Sequence, residues 1–147
     1  MIFSDSSLFL ILKITRLIIN IIEEYIGGKK MIRRKEEVNI RETLNARGGP
    51  GHVFFHDFML KEDAPGHGRL FSKVVIPAGS GIGVHQHTDE FEAFYIISGE
   101  ATINDNGTEE VLKEGDFHIC KNGDSHGVTN NGSEDLVMIA LILNDLS

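Results

Sequence analysis

The fold of this chain is decided by the stretch Gly79-Ser-Gly-Ile-Gly-Val-His85-Gln-His87-Thr-Asp-Glu-Phe-Glu92, which is followed after six further residues by Gly99. A second stretch lies downstream and reads Gly115-Asp-Phe-His-Ile-Cys-Lys-Asn-Gly123-Asp-Ser-His126-Gly-Val-Thr-Asn130. Side chains alternate between the faces of a strand, so His-x-His places both imidazoles on one face. The surrounding glycines indicate short strands joined by tight turns. Three imidazoles and one carboxylate at these spacings suit a divalent transition metal.

Length and composition indicate one domain that does not bind nucleic acid. The chain has 147 residues with 16 glycines, 3 prolines and no tryptophan, which suits many short strands joined by turns. A formal net charge of −8 argues against nucleic acid as a partner, because phosphate binding requires a basic surface. The single cysteine, Cys120, excludes an internal disulfide and fits a reducing cytosol, so we expect a cytoplasmic protein.

Residues 1–30 differ in composition from the remainder, and we expect this N-terminal extension to lie outside the core. Its apolar run is interrupted by five polar or charged residues, Lys13, Arg16, Asn20, Glu23 and Glu24. A membrane-spanning helix needs about 18 apolar residues with few or no charges. The segment also lacks the early basic region and the small-residue cleavage site of a signal peptide. We therefore expect no membrane partner.

Two interpretations of the extension stay open. One is an amphipathic helix with a broad apolar stripe of Leu10, Ile14, Leu17, Ile18, Ile21 and Ile22. The other is that Met31 is the natural start of the protein. Gly27-Gly28-Lys29-Lys30-Met31 is what a bacterial ribosome-binding leader would encode if it were translated, and residues 1–30 would then come from an over-extended gene model.

The remainder divides into an arm and a β domain. Residues 31–52 are charged and weakly periodic, and we interpret them as an entry arm and a glycine- and proline-rich loop. Across residues 53–145, β-branched and aromatic runs alternate with turn residues, as in a sandwich or barrel. The predicted strands are 53–60, 69–76, 82–87, 91–97, 101–104, 110–112, 117–120, 127–130 and 136–143. Asp105-Asn106-Gly107 predicts a type I′ hairpin turn, which needs positive φ at both central residues.

The two quoted stretches resemble the motifs of the cupin family. The first motif is Gly, five residues, His-x-His, three or four residues, Glu, six residues and Gly. The chain matches it at Gly79, His85, His87, Glu92 and Gly99. The second motif is Gly, five residues, Pro-x-Gly, two residues, His, three residues and Asn. The chain matches it at Gly115, Gly123, His126 and Asn130, and has Lys121 where the proline is usual.

This resemblance covers residues 53–143 and implies a fold, a cofactor and a site. The implied fold is all-β, a single-domain double-stranded β-helix or jelly-roll barrel. The implied cofactor is one divalent transition metal, which could be Fe, Mn, Zn, Ni or Co. The implied metal ligands are His85, His87, Glu92 and His126.

The motif also assigns roles to charged residues near the implied ligands. Glu92 has the offset of the motif and Glu90 does not, so we expect Glu90 to be a solvated neighbour. We interpret Lys121 as a solvated turn residue, with a cation at the barrel mouth as the alternative. Basic side chains form no cluster around the motifs, since they are scattered along the chain at Arg69, Lys73, Lys113 and Lys121. This scatter argues against a phosphosugar ligand.

The remaining histidines are expected to be structural. If Phe117 and Ile119 face the core, strand alternation turns His118 and Cys120 away from it. Cys120 is interpreted as a small buried or edge residue. The histidines outside the motifs are His52, His56 and His67, of which only His56 lies on a predicted strand that could reach the cavity.

Three functions are compatible with the pattern. The first is a metal-dependent enzyme acting on a small polar oxygen-bearing molecule, as an oxygenase, an isomerase or a decarboxylase. The second is a non-catalytic module that binds or senses a small ligand. The third is a metal-free structural barrel, against which the intact donor set argues. No motif identifies an additional acid or base, so the catalytic residues stay unassigned.

The barrel edges predict self-association. An exposed strand edge pairs readily with another chain, so we expect a homodimer. Candidate aromatic residues for that interface, or for the core, are Phe54, Phe55 and Phe58.

Overall fold

Antiparallel strands make up most of the chain that the computed structural model describes, which is residues 12–19 and 32–146. The strands are β1 (Asn39–Leu44), β2 (His52–Met59), β3 (Gly68–Ile76), β4 (Gly81–Gln86), β5 (Glu90–Ser98), β6 (Ala101–Asp105), β7 (Thr108–Leu112), β8 (Phe117–Cys120), β9 (Ser125–Thr129) and β10 (Leu136–Asn144). Short 3-10 turns precede the first three strands, at Lys35–Glu37, Ala46–Gly48 and Lys61–Asp63.

The strands form two sheets in a jelly-roll arrangement. The six-stranded sheet has the order β1-β2-β3-β10-β5-β8, and the four-stranded sheet has the order β4-β9-β6-β7. Several pairs of successive strands lie in different sheets, namely β3 and β4, β4 and β5, β5 and β6, β7 and β8, β8 and β9, and β9 and β10. The chain therefore crosses repeatedly from one sheet to the other, and the predicted all-β jelly-roll fold is confirmed.

Side-chain alternation along the strands builds one apolar core from both sheets. On β3, buried and more exposed positions alternate over the whole strand, and β10 begins in the same way. The core cluster draws Val74, Phe94 and Met138 from the six-stranded sheet and Ile103 and Val128 from the four-stranded sheet. Each fully buried side chain of this size stabilises the fold by about 1.5–3 kcal/mol. Packing between the sheets therefore fixes their relative position.

The hairpin between β6 and β7 has the predicted turn. Asn106 and Gly107 have φ angles of 49° and 92°, so both central residues are left-handed. The Gly107 amide donates to the side chain of Asn104 at 2.9 Å. The side-chain oxygen of Asn106 accepts from the Ser125 amide at 2.9 Å, which ties the hairpin to the start of β9.

One strand was not predicted from the sequence. Residues 39–44 of the expected entry arm form β1, which pairs antiparallel with β2 at the edge of the six-stranded sheet. Its side chains are exposed except at Thr43, which is half-buried. A strand without a buried face carries no apolar alternation, because backbone pairing with β2 rather than side-chain burial holds it in place.

The extension is described only in part. Residues 12–19 are helical, and Ile14, Leu17 and Ile18 of the predicted stripe are exposed. The other stripe residues and the proposed start at Met31 lie outside the described residues. Among the residues that are described, no helix has the length and apolarity needed to cross a membrane.

Candidate metal centre

Four predicted ligand positions come from three strands and two sheets. His85 on β4 and His126 on β9 are opposite one another in the four-stranded sheet. His87 follows β4 directly, and its backbone amide donates to the Asp124 carbonyl at 3.0 Å. Glu92 lies on β5 of the other sheet. The two sheets thus bring the histidines and the carboxylate to the same interior position.

The four side chains converge on one point. Glu92 Oε2 lies 2.9 Å from His126 Nε2, 3.1 Å from His87 Nε2 and 3.8 Å from His85 Nε2. One donor atom from each residue lies within 4.8 Å of all the others. The side chains of His87 and His126 are 1% and 0% exposed, and that of His85 is 13% exposed. His85 is therefore the histidine that faces the opening.

The outward-facing nitrogens of two of these rings are held by hydrogen bonds. His85 Nδ1 donates to the Gly83 carbonyl oxygen at 2.9 Å. His87 Nδ1 donates to the Glu90 carboxylate at 2.8 Å. An imidazole that donates through Nδ1 has a lone pair on Nε2 in its neutral form. Both rings are thereby oriented with Nε2 toward Glu92.

The expectation that His118 faces away from the core is wrong. Its Nε2 lies 3.1 Å from His126 Nδ1, and the two rings stack with centroids 5.2 Å apart. Phe117 and Ile119, the neighbours expected to face the core, are 60% and 41% exposed. Burial and the nearby His126 lower the pKa of His118, so its neutral ring can accept a hydrogen bond from His126. On a short edge strand the apolar residues did not identify the inner face.

Glu90 is also not the solvated neighbour that was expected. Its side chain is 15% exposed, and it accepts from His87 on one side and from Arg69 on the other. The Arg69 guanidinium donates twice, at 2.6 and 2.7 Å. These hydrogen bonds, that from Arg69 above all, hold the pKa of Glu90 below its usual range. Glu90 is an anionic acceptor that orients His87.

Glu92 is ionised at neutral pH. Burial opposes its ionisation, but the adjacent imidazoles of His126, His85 and His87 outweigh burial and hold the pKa of Glu92 well below its usual range. The hydrogen bond to Glu92 raises the pKa of His87, against the effect of burial and together with Glu90. The centre therefore presents an anionic oxygen beside three imidazole nitrogens.

This donor set fits a divalent transition metal. Each imidazole has its Nδ1 engaged by an acceptor, which leaves Nε2 to face the shared centre. Metal-bound histidines show this arrangement, because the outer hydrogen bond fixes the tautomer and the ring orientation. Among the residues that the structure describes, this group of four could hold a metal ion.

Other motif positions shape the backbone. Asn130 is fully buried, and its side-chain amide donates to the carbonyls of Ile76 at 2.7 Å and Glu134 at 2.8 Å. Positive φ angles occur at the motif glycines Gly79, Gly99, Gly115 and Gly123. Lys121 is an exposed residue that does not line the cavity beside the centre.

The remaining candidates lie outside the group of four. His52 pairs with Glu42 at 2.6 Å, and His67 is exposed. His56 is half-buried on β2 and does not line the cavity. Cys120 is buried, as a small buried residue was expected to be, but it shares the inner side of β8 with His118 and does not face away from the core. Burial raises the pKa of its thiol to about 11. This thiol is not ionised at neutral pH, so it is a poor nucleophile.

A cavity of about 260 Å³ opens beside the centre. Its lining includes His85 and Glu92 together with Arg41, Arg47 and Arg69. The interpretation that basic side chains form no cluster around the motifs is therefore wrong. Arg41 and Arg47 come from the arm, far from the motifs in sequence, and only strand pairing brings them to the site. Their residue type alone did not distinguish them from surface arginines.

Comparisons with known proteins identify the family. A family model described as a cupin domain matches residues 72–142. The oxalate-binding protein of Thermotoga maritima is 37% identical over 116 residues, which are 79% of this chain and 96% of that protein. The crystal structure of a predicted oxalate decarboxylase from Thermotoga maritima matches with a TM-score of 0.73 and 37% identity, over 78% of this chain and 99% of that chain.

A more distant structure has the same fold. An RmlC-like cupin from Shewanella frigidimarina is 19% identical, with a TM-score of 0.59, over 79% of this chain and 92% of that chain. The sequence motifs, the jelly roll and these comparisons agree, and the chain belongs to the cupin family.

Proposed function

We propose that this cupin holds one divalent transition metal at His85, His87, Glu92 and His126 and binds a small oxygen-bearing molecule there. The observation that carries the proposal is the set of hydrogen bonds on the outer nitrogens of the three imidazoles. These bonds aim every Nε2 at Glu92, which is the arrangement that a metal requires. A bound metal would act as a Lewis acid toward an oxygen of the ligand.

The ligand class that we propose is a small carboxylate. The Thermotoga maritima relative is named as an oxalate-binding protein, and the cavity beside His85 has three arginines in its wall. A volume of about 260 Å³ is suited to a compact ligand. Guanidinium groups bind carboxylates well, because their paired N–H donors match the two carboxylate oxygens.

One observation favours binding over catalysis as the role of this site. Among the described residues that line the cavity, the only titratable side chains besides arginine are His85 and Glu92. Both are proposed metal ligands, so neither is free to act as a separate acid or base. We therefore propose a binding or sensing module in the first place. Oxygenase, isomerase or decarboxylase chemistry is the second candidate.

Metal analysis tests the proposal directly. Full-length protein is purified without added metal, and bound Fe, Mn, Zn, Ni and Co are measured by mass spectrometry before and after equilibrium dialysis against each ion. His126→Ala removes one ligand, and His67→Ala is the matched control at an exposed histidine. We expect metal in the wild type and in His67→Ala but not in His126→Ala. A wild type that binds none of these ions contradicts the proposal.

Turnover is tested on the metal-loaded protein. Oxygen uptake and product formation are followed with oxalate, diketones and hydroxy acids. The binding role predicts ligand affinity without turnover. Turnover that requires His126 would instead establish the second candidate.

We also propose a cytoplasmic homodimer that does not bind nucleic acid. The net charge of −8 argues against nucleic-acid binding. Tyr95, Ile97, Phe117 and Ile119 expose apolar surface on β5 and β8, which supports self-association. Light scattering coupled to size exclusion would report the oligomeric state.

A further inference from the structure

The three arginines of the cavity differ in what they bind. Arg41 donates to the Asp57 carboxylate at 2.8 and 3.1 Å and lies 4.5 Å from the centre of the Phe55 ring. Arg69 is held by Glu90 through the two short hydrogen bonds described above. Within residues 12–19 and 32–146, no acceptor pairs with the Arg47 side chain. Among the residues that the structure describes, no carboxylate matches the charge of Arg47, in contrast to Arg41 and Arg69.

Arg47 sits in a turn with an unusual backbone. Its φ and ψ angles are 51° and 29°, a left-handed conformation that bulky side chains rarely adopt. Such a conformation is strained for a residue with a Cβ atom and is retained where the surroundings enforce it. Asn45 in the same turn is also left-handed, with a φ of 51°, but asparagine tolerates this conformation well.

Close backbone packing against β4 enforces this turn. A Cβ atom at Gly83 would collide with the carbonyl oxygen of Arg47, and a Cβ atom at Gly49 would come within 2.5 Å of the Gly81 carbonyl oxygen. The Gly81 amide donates to the Pro50 carbonyl at 2.8 Å. Glycine on both sides lets the turn lie directly on the strand. The position of Arg47 is therefore set by the strand that carries His85.

The same strand couples the turn to the metal centre. Gly83 lies against the turn, where a Cβ atom would collide with the Arg47 carbonyl oxygen, and its own carbonyl oxygen accepts from His85 Nδ1 at 2.9 Å. Arg47 and His85 are thus positioned by one residue and line one cavity. A guanidinium that no described carboxylate pairs and a candidate metal ligand therefore line the same cavity.

We propose that Arg47 determines ligand specificity by binding the second carboxylate of a small dicarboxylate whose first carboxylate lies at the His85 and Glu92 side of the cavity. This inference rests on the proposed function, since it needs a metal at that side. Monocarboxylates would bind at the metal side alone, without Arg47. The uncharged part of the cavity wall is apolar apart from Thr43 and offers a long polar ligand few hydrogen-bond partners, which favours a short ligand. Its apolar residues are Ala46, Phe55, Leu70, Ile82 and Ile142.

Binding to Mn²⁺-loaded full-length protein tests the inference, with oxalate, malonate and acetate as probes in isothermal titration calorimetry. The variants are Arg47→Gln, Arg47→Lys and, as a matched control, Lys121→Gln at an exposed cation outside the cavity. Bound Mn²⁺ is measured in every sample after titration. Gln and Lys both keep a Cβ atom at position 47, so neither variant relieves or adds backbone strain.

Arg47→Gln is expected to weaken the binding of oxalate or malonate by roughly tenfold or more, because a charge-assisted hydrogen bond is lost. Arg47→Lys is expected to lose less, since it keeps the charge without the paired donors. Acetate affinity, Mn²⁺ content and the affinities of Lys121→Gln should equal those of the wild type.

The failures can be told apart. Equal dicarboxylate affinity in wild type and Arg47→Gln, with Mn²⁺ bound in both, overturns the role of Arg47 and leaves the metal proposal standing. A wild type that binds Mn²⁺ and acetate but neither dicarboxylate also overturns the inference alone. A wild type that binds no metal overturns the proposed function and this inference with it.

Discussion

The two sheets of the jelly roll contribute different chemistry to one centre. The four-stranded sheet carries imidazoles, with His85 and His126 on adjacent strands and His87 at the end of the first. The six-stranded sheet carries the carboxylate of Glu92. It also supplies the acceptors that orient two of the rings, on β5 and β8.

Because the imidazoles and the carboxylate come from different sheets, the centre forms only when the two sheets pack together. Of the four converging side chains, the imidazoles come from the four-stranded sheet and the carboxylate from the six-stranded sheet, so neither sheet alone supplies the set. The orienting residues Glu90 and His118 belong to the sheet opposite the histidines that they orient. A change that separates the sheets should therefore affect both stability and metal binding. A change within one sheet should affect mainly one of these two properties.

Removing the packing between the sheets has the largest expected effect. Phe94 is 1% exposed, and its ring stacks on His126 with centroids 5.0 Å apart. Phe94→Ala should lower the free energy of unfolding by about 3–5 kcal/mol, because it deletes a buried ring and leaves a cavity. Urea denaturation followed by circular dichroism measures this loss.

The neighbouring Tyr95→Ala is the matched control, since Tyr95 is 46% exposed on the same strand. Its expected cost is less than about 1 kcal/mol. Equal losses in the two variants would mean that Phe94 does not hold the sheets together.

Removing an acceptor on the six-stranded sheet has an intermediate expected effect. His118→Phe keeps a ring beside His126 but cannot accept its Nδ1–H. Metal affinity should fall by about tenfold to a hundredfold, which is the usual effect of losing such an outer partner. Competition with a chelating dye measures the affinity, and His67→Phe is the control. Unchanged affinity in His118→Phe would show that the orientation of His126 does not depend on this hydrogen bond.

The smallest expected effect is confined to the six-stranded sheet and depends on pH. Burial opposes ionisation of Asp57, but hydrogen bonds from Arg41 and Ser72 outweigh it and lower the pKa of Asp57. A carboxyl whose pKa is lower in the folded state adds stability above its unfolded pKa of about 4. That stability is lost as the pH falls through the lower folded pKa.

Asp57→Asn should therefore cost about 1–3 kcal/mol at pH 7, and the difference from wild type should shrink as the pH falls below about 4. Denaturation curves across this range measure the difference, with the exposed Asp135→Asn as control. A difference that is independent of pH would show that the charge of Asp57 does not contribute.

The fold was largely predictable because the strands of the barrel alternate in polarity. Eight of the expected strands needed only small changes at their ends, and the strand at residues 117–120 has the predicted bounds. β1 escaped prediction because it has no buried face. The face of β8 was predicted wrongly for another reason, because its apolar residues Phe117 and Ile119 point outward while His118 points inward.

The sequence by itself predicted a β sandwich or barrel, and its resemblance to the cupin motifs implied the jelly roll and the four residues that the structure brings together. Motif spacing and turn glycines are local features of the chain, so the sequence displays them directly. Only the tertiary structure decided what surrounds those residues. Glu90, His118 and Arg47 carry no distinctive spacing, and their roles come from strands that pair across the sheet or pack from the other side. A hydrogen-bond partner or a charge beside a cavity depends on distances in space, which spacing along the chain does not encode when the two segments are far apart.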